Sequence, residues 1–286
     1  MNKKNVIVIG GSGQLGQCLN DVVSGTAQPY NFIFLSKSDL DFASAEQTLK
    51  IFEQYHPLYC INCAAYTAVD QAEEDLHLAF EINEFAVKRL AECCLTYQTT
   101  LIHISTDFVF NGDSSIPLTE DLPTNPVNIY GLSKLKGEQE VQAILEQYYI
   151  IRTSWLYSEK ANNFVKTMLK LAQSREQLTV IYDQVGTPTY AMDLAEVIIK
   201  IILNDNKAYG LYHYSNEGVA SWYDFAKAIF EFAEVEMKVL PVASSAFITK
   251  AKRPHYSVLD KTKIKETLGI TIPYWRDSLN ICIQNL

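Results

Sequence analysis

The N-terminal stretch constrains the fold more than any other part of the chain. A short apolar, β-branched run at residues 6–9 leads directly into a glycine-rich segment at residues 10–16, and a helical segment follows from Gln17 to about Ser24. Such runs are typical of buried parallel strands. The glycines allow a tight turn and let the backbone approach a pyrophosphate, which would rest on the helix N-terminus. The pattern predicts dinucleotide binding; a tight strand-to-helix turn without a ligand is the alternative.

Composition and charge exclude several classes of protein. The 286 residues are 48% hydrophobic and 20% charged, as expected of a globular protein, and the net charge is −9. This charge argues against non-specific nucleic-acid binding. No apolar run reaches the roughly 18 residues that a membrane helix needs, and residues 6–9 are too short for a signal-peptide core. We therefore expect a cytoplasmic protein with no nucleic-acid or membrane partner.

The six cysteines are expected to be reduced. Cys60 and Cys63 form a CxxC pair, but no second pair or histidine follows at ligand spacing, and both fall in an apolar, strand-like run. This pattern favours buried thiols in a cytoplasmic protein over a zinc or redox site, and no metal site is predicted.

Apolar strand-like runs and helical segments alternate along the first half of the chain. This alternation predicts an α/β fold, a Rossmann-type doubly wound parallel sheet, over residues 1–157 with a return segment near 189–214. Beyond residue 157 the regularity breaks, so residues 158–188 and 215–286 are predicted to form a smaller α/β substrate-binding lobe. The cleft between the two parts is the expected binding site.

The end of the second predicted strand bears on the choice of cofactor. An NAD-binding unit often places an acidic residue there to bond the ribose 2′-hydroxyl, whereas this chain has Ser36 and Lys37, with Asp39 and Asp41 further on. A hydroxyl and a lysine suit a 2′-phosphate better, which favours NADPH. NADH is the alternative, since a loop lysine is often only solvated.

Small and polar residues mark the ends of the next strands. Residues 64–70 follow the third strand, and small side chains there let a ligand approach the backbone. A long helix is predicted at residues 73–95, and Asn83 within it is either a satisfied core group or a support for the active-site backbone. Thr106 ends the fourth strand, where its hydroxyl can meet a substrate oxygen.

Tyr130 and Lys134 lie four residues apart at the start of a predicted helix, so their side chains share one face. An ammonium close to a phenol lowers its pKa from about 10, which suits general acid–base catalysis. A half-buried tyrosine beside a solvated lysine is the alternative, and the preceding nucleotide-binding pattern argues against it.

Seven motifs in order resemble the dTDP-4-dehydrorhamnose reductases, a family of extended short-chain dehydrogenase/reductases. The resemblance runs from residue 5 to about residue 280, and its motifs lie at residues 64–70, 105–110, 130–138, 152–155, 183–190, 221–223 and 253–260. The family reduces the 4-keto group of a nucleotide sugar to make dTDP-L-rhamnose.

The resemblance implies a role for each matching residue. Tyr130 would protonate the C4 oxygen as hydride arrives, Lys134 would lower the tyrosine pKa and hold the nicotinamide ribose, and Thr106 would hydrogen-bond the reacting oxygen. From the residues and the resemblance together, the predicted cofactor contacts are Gly10, Gly13, Gln14, Leu15, Gly16, Ser36, Lys37, Asp41, Phe42, Ala64, Ala65, Tyr66, Thr67, Asn83, Tyr130 and Lys134. The predicted substrate contacts are Thr106, Asp107, Phe108, Tyr130, Trp155 and Arg253.

Several of these assignments have alternatives. Trp155 could be a core aromatic residue, Asp107 a structural acid, and Arg253 part of a structural salt bridge rather than a partner of the substrate diphosphate. Phe108 stands where the family usually has tyrosine, and Ser36 with Lys37 where many relatives have Asp or Arg.

Two other functions remain open from the sequence. One is reduction of a different nucleotide's keto-sugar. The other is a non-catalytic regulatory subunit like that of methionine adenosyltransferase, against which the complete catalytic set argues. A homodimer is the expected assembly.

Overall fold

The computed structural model describes residues 3–25, 27 and 29–286. Its strands are β1 (Lys4–Ile9), β2 (Tyr30–Leu35), β3 (Tyr59–Asn62), β4 (Thr100–Thr106), β5 (Tyr148–Thr153), β6 (Leu156–Tyr157), β7 (Gln177–Ile181), β8 (Val185–Gly186), β9 (Thr189–Tyr190), β10 (Gly210–His213), β11 (Ala220–Ser221) and β12 (Lys238–Val242). Its α-helices are α1 (Gln14–Ser24), α2 (Ala45–Tyr55), α3 (Val69–Ala72), α4 (Leu76–Phe80), α5 (Ala86–Thr96), α6 (Ile129–Ile144), α7 (Phe164–Ala172), α8 (Ala191–Asn204), α9 (Trp222–Phe232), α10 (Thr262–Leu268) and α11 (Trp275–Gln284).

The main sheet has six strands in the order β10-β5-β4-β3-β1-β2. Every neighbouring pair in it is parallel. The chain passes from β1 to β2 on one side of β1 and then crosses to β3 on its other side, so the strand order reverses between β1 and β3. The predicted Rossmann-type doubly wound sheet is confirmed. In such sheets ligands bind beyond the carboxyl ends of the strands, near the point where the strand order reverses.

Alternate residues of each strand pack on opposite faces of the sheet, as the two-residue period of a strand requires. Val6 and Val8 of β1 lie on the face covered by α1 and α8. Ile7 and Ile9 lie on the other face, which α2, α5 and α6 cover. Because both faces are buried, the strands are almost continuously apolar.

A separate apolar cluster forms the second part of the molecule. It joins α7, α9 and α11 to the short parallel pair β7 and β12, with Phe225 and Trp275 fully or almost fully buried in it. The predicted return to the main sheet is made by α8 and β10. One difference concerns Ile264, Leu268, Ile270 and Ile272, which the domain prediction placed in the lobe but which pack against the main sheet. Residues 1 and 2 of the predicted first domain lie outside the described residues.

Two helices differ from the sequence-based expectation. Helix α1 begins at Gln14, three residues earlier than expected, because its first turn grows directly out of the glycine turn. The helix predicted over residues 73–95 is instead α4 and α5 joined by one π-helical stretch, Glu81–Phe85. Single π-turns inside helices often lie at functional sites.

All six cysteines are free thiols, as expected, and Cys60 and Cys94 are fully buried. Among the described residues, no group of three or more histidine, cysteine or acidic side chains is arranged to hold a metal ion. No helix in the described part of the chain is long and apolar enough to cross a membrane.

Candidate active site

The glycine turn and the N-terminus of α1 form the first side of the site. Gly10 and Gly11 both donate their N–H groups to the carbonyl of Leu35, at 3.0 and 2.8 Å, which ties the turn to β2. Gly10 has a φ of +80°, and a Cβ there would lie 2.8 Å from the nitrogen of Ala64. No side chain caps α1 at Gly13. The first N–H groups of α1 therefore remain free to bind an anion.

Two predicted cofactor residues of α1 have other side-chain contacts. Leu15 is 5% exposed and packs in the core below the sheet, so only its backbone can face a ligand. Gln14 donates to the carbonyl of Leu156 at 3.1 Å and accepts from Asn163 at 2.9 Å. Gln14 thus connects the turn to the lobe.

The loop after β2 leaves a lysine available. Asp39 accepts from the backbone N–H of Ser36 at 2.9 Å and from its hydroxyl, and these hydrogen bonds hold the pKa of Asp39 below its usual value. Asp39 is thereby engaged within its own turn. Lys37 is exposed and has no ion-pair partner among the described residues. A free lysine beside the Ser36 hydroxyl suits a phosphate better than a ribose hydroxyl.

The neighbouring predicted residues support this loop. Asp41 accepts at Oδ1 from the N–H of Ala43, at 3.1 Å, and its own N–H donates to Gln47. Phe42 is almost fully buried in the cluster that α2 shares with the sheet.

Asn83 holds the loop that follows β3. Its Oδ1 accepts from the N–H of Tyr66 at 2.9 Å, and its Nδ2 donates to the carbonyl of Tyr66 and to the Ser133 hydroxyl, both at 3.0 Å. The Asn83 amide thus hydrogen-bonds both the N–H and the carbonyl of Tyr66, as the backbone of a neighbouring strand would. These bonds hold the segment that contains Ala64, Ala65, Tyr66 and Thr67. Of the two interpretations of Asn83, support of this backbone is the one that the contacts favour.

Thr106 and Tyr130 meet where β4 ends and α6 begins. Asn128 caps α6, accepting from the N–H of Gly131 at 2.7 Å, so Tyr130 sits in the first turn. The Thr106 hydroxyl donates to Oδ1 of Asp107 at 3.0 Å and lies beside the Tyr130 phenol, whose ring packs edge-on against Phe108 with centroids 5.6 Å apart. The predicted tyrosine and threonine are therefore brought together.

Lys134 lies on the same face of α6 as Tyr130, but its ammonium group is directed at β4 and not at the phenol. Its Nζ donates to the carbonyl of Ile104 at 2.7 Å and lies 3.4 Å from Nε2 of His103. Burial lowers the pKa of Lys134 to about 8. Burial also raises the pKa of Tyr130 to about 12, although the neighbouring Thr106 hydroxyl opposes this. The expected lowering of the tyrosine pKa by Lys134 is thus not found, because the lysine is directed at other groups.

A buried ion pair between Arg152 and Glu138 joins β5 to α6. Arg152 on β5 donates to Glu138 through Nη2 at 2.7 Å and through Nε at 3.0 and 3.2 Å, and Ser105 also donates to Glu138. Both charged residues are almost fully buried. Sequence reasoning assigned neither a role, although a charged residue in each of two apolar segments was the available signal.

A cavity of about 430 Å³ opens between the strand ends and the lobe. The four residues predicted to contact only substrate, Asp107, Phe108, Trp155 and Arg253, all line it. Asp107 is 2% exposed, and its Oδ2 has no hydrogen-bond partner among the described residues. Burial raises the pKa of its carboxyl to about 6. A buried acceptor without a partner suits a substrate hydroxyl.

Aromatic rings form one wall of the cavity. Trp155 stacks on Trp222 with ring centroids 3.7 Å apart and planes 10° apart, so Trp155 is both packed and facing the cavity. Trp222 was not predicted as a site residue, although its motif at residues 221–223 was recognised. Arg175 and Gln184 also line the cavity and were likewise missed.

Arg253 is paired within the protein. It binds Asp70 in a bidentate arrangement, with Nη1 and Nη2 at 3.1 and 2.7 Å from the two carboxylate oxygens. The structural salt bridge considered as an alternative is therefore present. Both residues line the cavity, so the pair also forms part of its wall.

Known proteins are similar to this chain in sequence and in structure. The dTDP-4-dehydrorhamnose reductase of Aggregatibacter actinomycetemcomitans is 39% identical over 285 residues, covering 96% of each chain. The spore coat polysaccharide biosynthesis protein SpsK of Bacillus subtilis is 40% identical, covering 98% of this chain and 96% of that protein. The crystal structure of dTDP-4-dehydrorhamnose reductase from Bacillus anthracis, in complex with NADP, superposes with a TM-score of 0.94 at 39% identity over the whole of both chains. The family model described as RmlD substrate binding domain matches residues 4–286, and this chain belongs to that family.

Proposed function

We propose that this protein is an NADPH-dependent oxidoreductase that reduces the 4-keto group of dTDP-4-dehydro-L-rhamnose to give dTDP-L-rhamnose. The observation that carries the proposal is that Thr106 and Tyr130 lie side by side where β4 ends and α6 begins, with Lys134 one turn further along α6 and with the neighbouring Asp107 and Phe108 lining the cavity. Relatives of the same length that carry the reductase name support the choice of substrate.

Tyr130 is the proton donor in this proposal. Its pKa of about 12 keeps the phenol protonated at neutral pH, as a donor must be before reaction. The Thr106 hydroxyl lies beside the phenol and would turn from Asp107 to give the substrate oxygen a second donor. Both groups stabilise the charge that develops on that oxygen.

Lys134 would hold the nicotinamide ribose and place a charge near Tyr130. To do so its Nζ must leave the Ile104 carbonyl, which lies 2.7 Å away. A lysine side chain has four rotatable carbon–carbon bonds, so this change needs no backbone movement.

The chain is suited to NADPH. The uncapped N-terminus of α1 suits the pyrophosphate, Lys37 and Ser36 suit a 2′-phosphate, and the segment fixed by Asn83 suits the part of the cofactor near the third strand. When bound, NADPH supplies the hydride for the reduction.

The cavity would hold the nucleotide sugar. Asp107 would accept from a sugar hydroxyl, and the stacked Trp155 and Trp222 would bound the sugar on one side. Arg253 would reach the diphosphate only after leaving Asp70, whereas Arg175 makes no ion pair within the described residues.

An activity assay tests the proposal. The purified protein should oxidise NADPH in the presence of dTDP-4-dehydro-L-rhamnose, and Tyr130→Phe should lower kcat by about 10²- to 10⁴-fold while NADPH still binds. Tyr209→Phe is the control, because Tyr209 precedes β10 and packs on Tyr149 near the amino ends of the strands, whereas Tyr130 lies at their carboxyl ends. Normal turnover by Tyr130→Phe would refute the role of the phenol. Competition with other nucleotide keto-sugars tests the choice of nucleotide.

The cofactor preference has its own test. Lys37→Ala should raise the KM for NADPH several-fold and leave the KM for NADH unchanged. An equal effect on both cofactors would show that Lys37 does not contact the 2′-phosphate.

A homodimer and a cytoplasmic location remain predictions. Size-exclusion chromatography with light scattering on the purified protein measures the first, and cell fractionation measures the second.

A further inference from the structure

We infer that Asn62, through one tautomer of His103, is a positioning residue that weakens the ammonium form of Lys134 and thereby sets the pH range of the reaction. The inference rests on the proposed function, in which Lys134 acts beside Tyr130. It concerns two fully buried polar side chains, Asn62 and His103, that the proposed catalytic steps do not use.

The orientation of the Asn62 amide is determined by its backbone contact. The N–H of Ala64 donates to Oδ1 of Asn62 at 3.1 Å, so this atom must be the oxygen. The amide nitrogen, Nδ2, then points at Nδ1 of His103, 3.1 Å away. Because an amide nitrogen only donates, Nδ1 of His103 must be the acceptor and carries no proton.

The tautomer of His103 follows. Burial and the charge of Lys134 keep the pKa of His103 well below its ordinary value, so the ring is neutral. A neutral imidazole has one donor and one acceptor nitrogen. Nε2 therefore carries the proton, and it lies 3.4 Å from Nζ of Lys134.

This proton opposes a charged lysine. An ammonium group has only donors, so a charged Lys134 would place an N–H opposite the N–H of His103. A neutral amine accepts from Nε2 and still donates to the carbonyl of Ile104, 2.7 Å away. The contact with His103 therefore favours the amine, whereas the carbonyl of Ile104 accepts from the ammonium as well as from the amine.

The other groups that face Lys134 act in known directions. Burial is the largest influence and lowers the pKa of Lys134 to about 8, whereas Glu138 on the same helix and Cys63 after β3 both raise it. Burial keeps Cys63 protonated by raising its pKa.

A second buried histidine provides an internal reference. Nδ1 of His213 lies 3.0 Å from the carbonyl of Leu118, so Nδ1 must donate, and Nε2 lies 3.4 Å from Nη1 of Arg152. Burial keeps the pKa of His213 low, at about 3. His103 and His213 are thus expected to be neutral with opposite tautomers.

Nitrogen-15 NMR of the cofactor-free protein tests the inference without any activity. The side-chain nitrogen shifts of the wild-type protein should show His103 protonated on Nε2 and His213 protonated on Nδ1. A proton on Nδ1 of His103 would overturn the inference.

The Asn62→Asp variant tests the effect on Lys134. Its carboxylate still accepts from Ala64 but replaces the amide donor by an acceptor, so His103 should move its proton to Nδ1 and accept from Lys134. The pKa of Lys134, measured by carbon-13 NMR at Cε, should rise by about one pH unit or more. The signals of His213 should not move, and an unchanged Lys134 pKa would overturn the inference.

Asn62→Ala separates the tautomer from the added charge. It removes the amide donor and adds neither a carboxylate nor another donor, so the Lys134 pKa should still rise, by less than in Asn62→Asp. A rise confined to the charged variant would assign the effect to the charge and overturn the role of the tautomer.

The activity of the same variant gives a separate readout. The alkaline limb of kcat/KM, which reports groups of the free enzyme, should move to higher pH in Asn62→Asp by the shift measured for Lys134. If NADPH is not oxidised but the NMR results are as expected, the proposed function fails and the control of Lys134 by Asn62 stands. An unmoved alkaline limb beside a raised Lys134 pKa would overturn the link to the reaction.

Discussion

Replacement of Glu138 by glutamine tests the buried ion pair that Glu138 of α6 forms with Arg152 of β5. Glu138 is 1% exposed and Arg152 is 3% exposed. Glutamine keeps the size of the side chain but removes its charge, so the Arg152 guanidinium stays buried without a counter-charge. Breaking a buried pair in this way costs about 3–5 kcal/mol, and we expect the free energy of unfolding to fall by that amount.

Urea unfolding followed by tryptophan fluorescence and circular dichroism measures this loss. The midpoint should fall while the slope m stays unchanged, since the surface exposed on unfolding is the same. Glu46→Gln is the matched control. Glu46 pairs with Lys50 at 2.6 Å on the surface of α2, where water screens the pair, so its loss should leave the midpoint nearly unchanged.

A double replacement distinguishes the loss of the attraction between Glu138 and Arg152 from the cost of leaving the Arg152 charge buried without a partner. Glu138→Met combined with Arg152→Met removes both charges, and apolar substitutes for a buried pair are often neutral or stabilising. The double variant should therefore be more stable than Glu138→Gln. If Glu138→Gln unfolds like the wild-type protein, Arg152 does not depend on Glu138 and the reasoning is wrong.

Three further predictions concern the turn, the cavity acid and the aromatic wall. Gly16→Ala should abolish NADPH binding in calorimetry, because the new Cβ would lie 2.4 Å from a backbone carbonyl, whereas Gly25→Ala, with its nearest atom at 3.6 Å, should bind normally. Burial raises the pKa of Asp107 from 3.8 to about 6, so this carboxyl lowers stability progressively as the pH rises through that window, and the full cost is present above pH 6. Each pKa unit is worth about 1.4 kcal/mol, so Asp107→Asn should gain up to about 3 kcal/mol in urea unfolding at pH 8. That gain should shrink below pH 6 and vanish below about pH 4, where the carboxyl is neutral in both the folded and the unfolded chain, and a pH-independent difference would contradict the assignment. Trp222→Ala should raise the KM for the nucleotide sugar by about 2- to 10-fold through loss of the stack with Trp155, and an unchanged KM would place the sugar elsewhere.

Much of the site was predictable because parallel strands end at one edge. Thr106 ends β4 and the turn at Gly10 ends β1, so both must lie on the carboxyl side of the same sheet. The four-residue spacing of Tyr130 and Lys134 placed both on one face of α6. These inferences need only local geometry and the order of elements.

Contacts between distant segments were not predictable in the same way. The π-turn that brings Asn83 to Tyr66, and the pairing of Arg253 with Asp70 across 183 residues of sequence, depend on how helices and loops pack. Spacing carries no information on which of several partners a side chain will take.

By itself, the sequence predicted the fold class, the glycine turn at the start of α1 and the proposed catalytic residues Thr106, Tyr130 and Lys134, because periodicity, glycines and motif order are local properties of a chain. Only the tertiary structure decided where Lys134 points, which groups lie against Tyr130, and that Glu138 and Arg152 pair below α6. Burial is the physical reason. It shifts pKa values and makes each polar group take a partner, and it exists only once the sheet, the helices and the lobe have packed together.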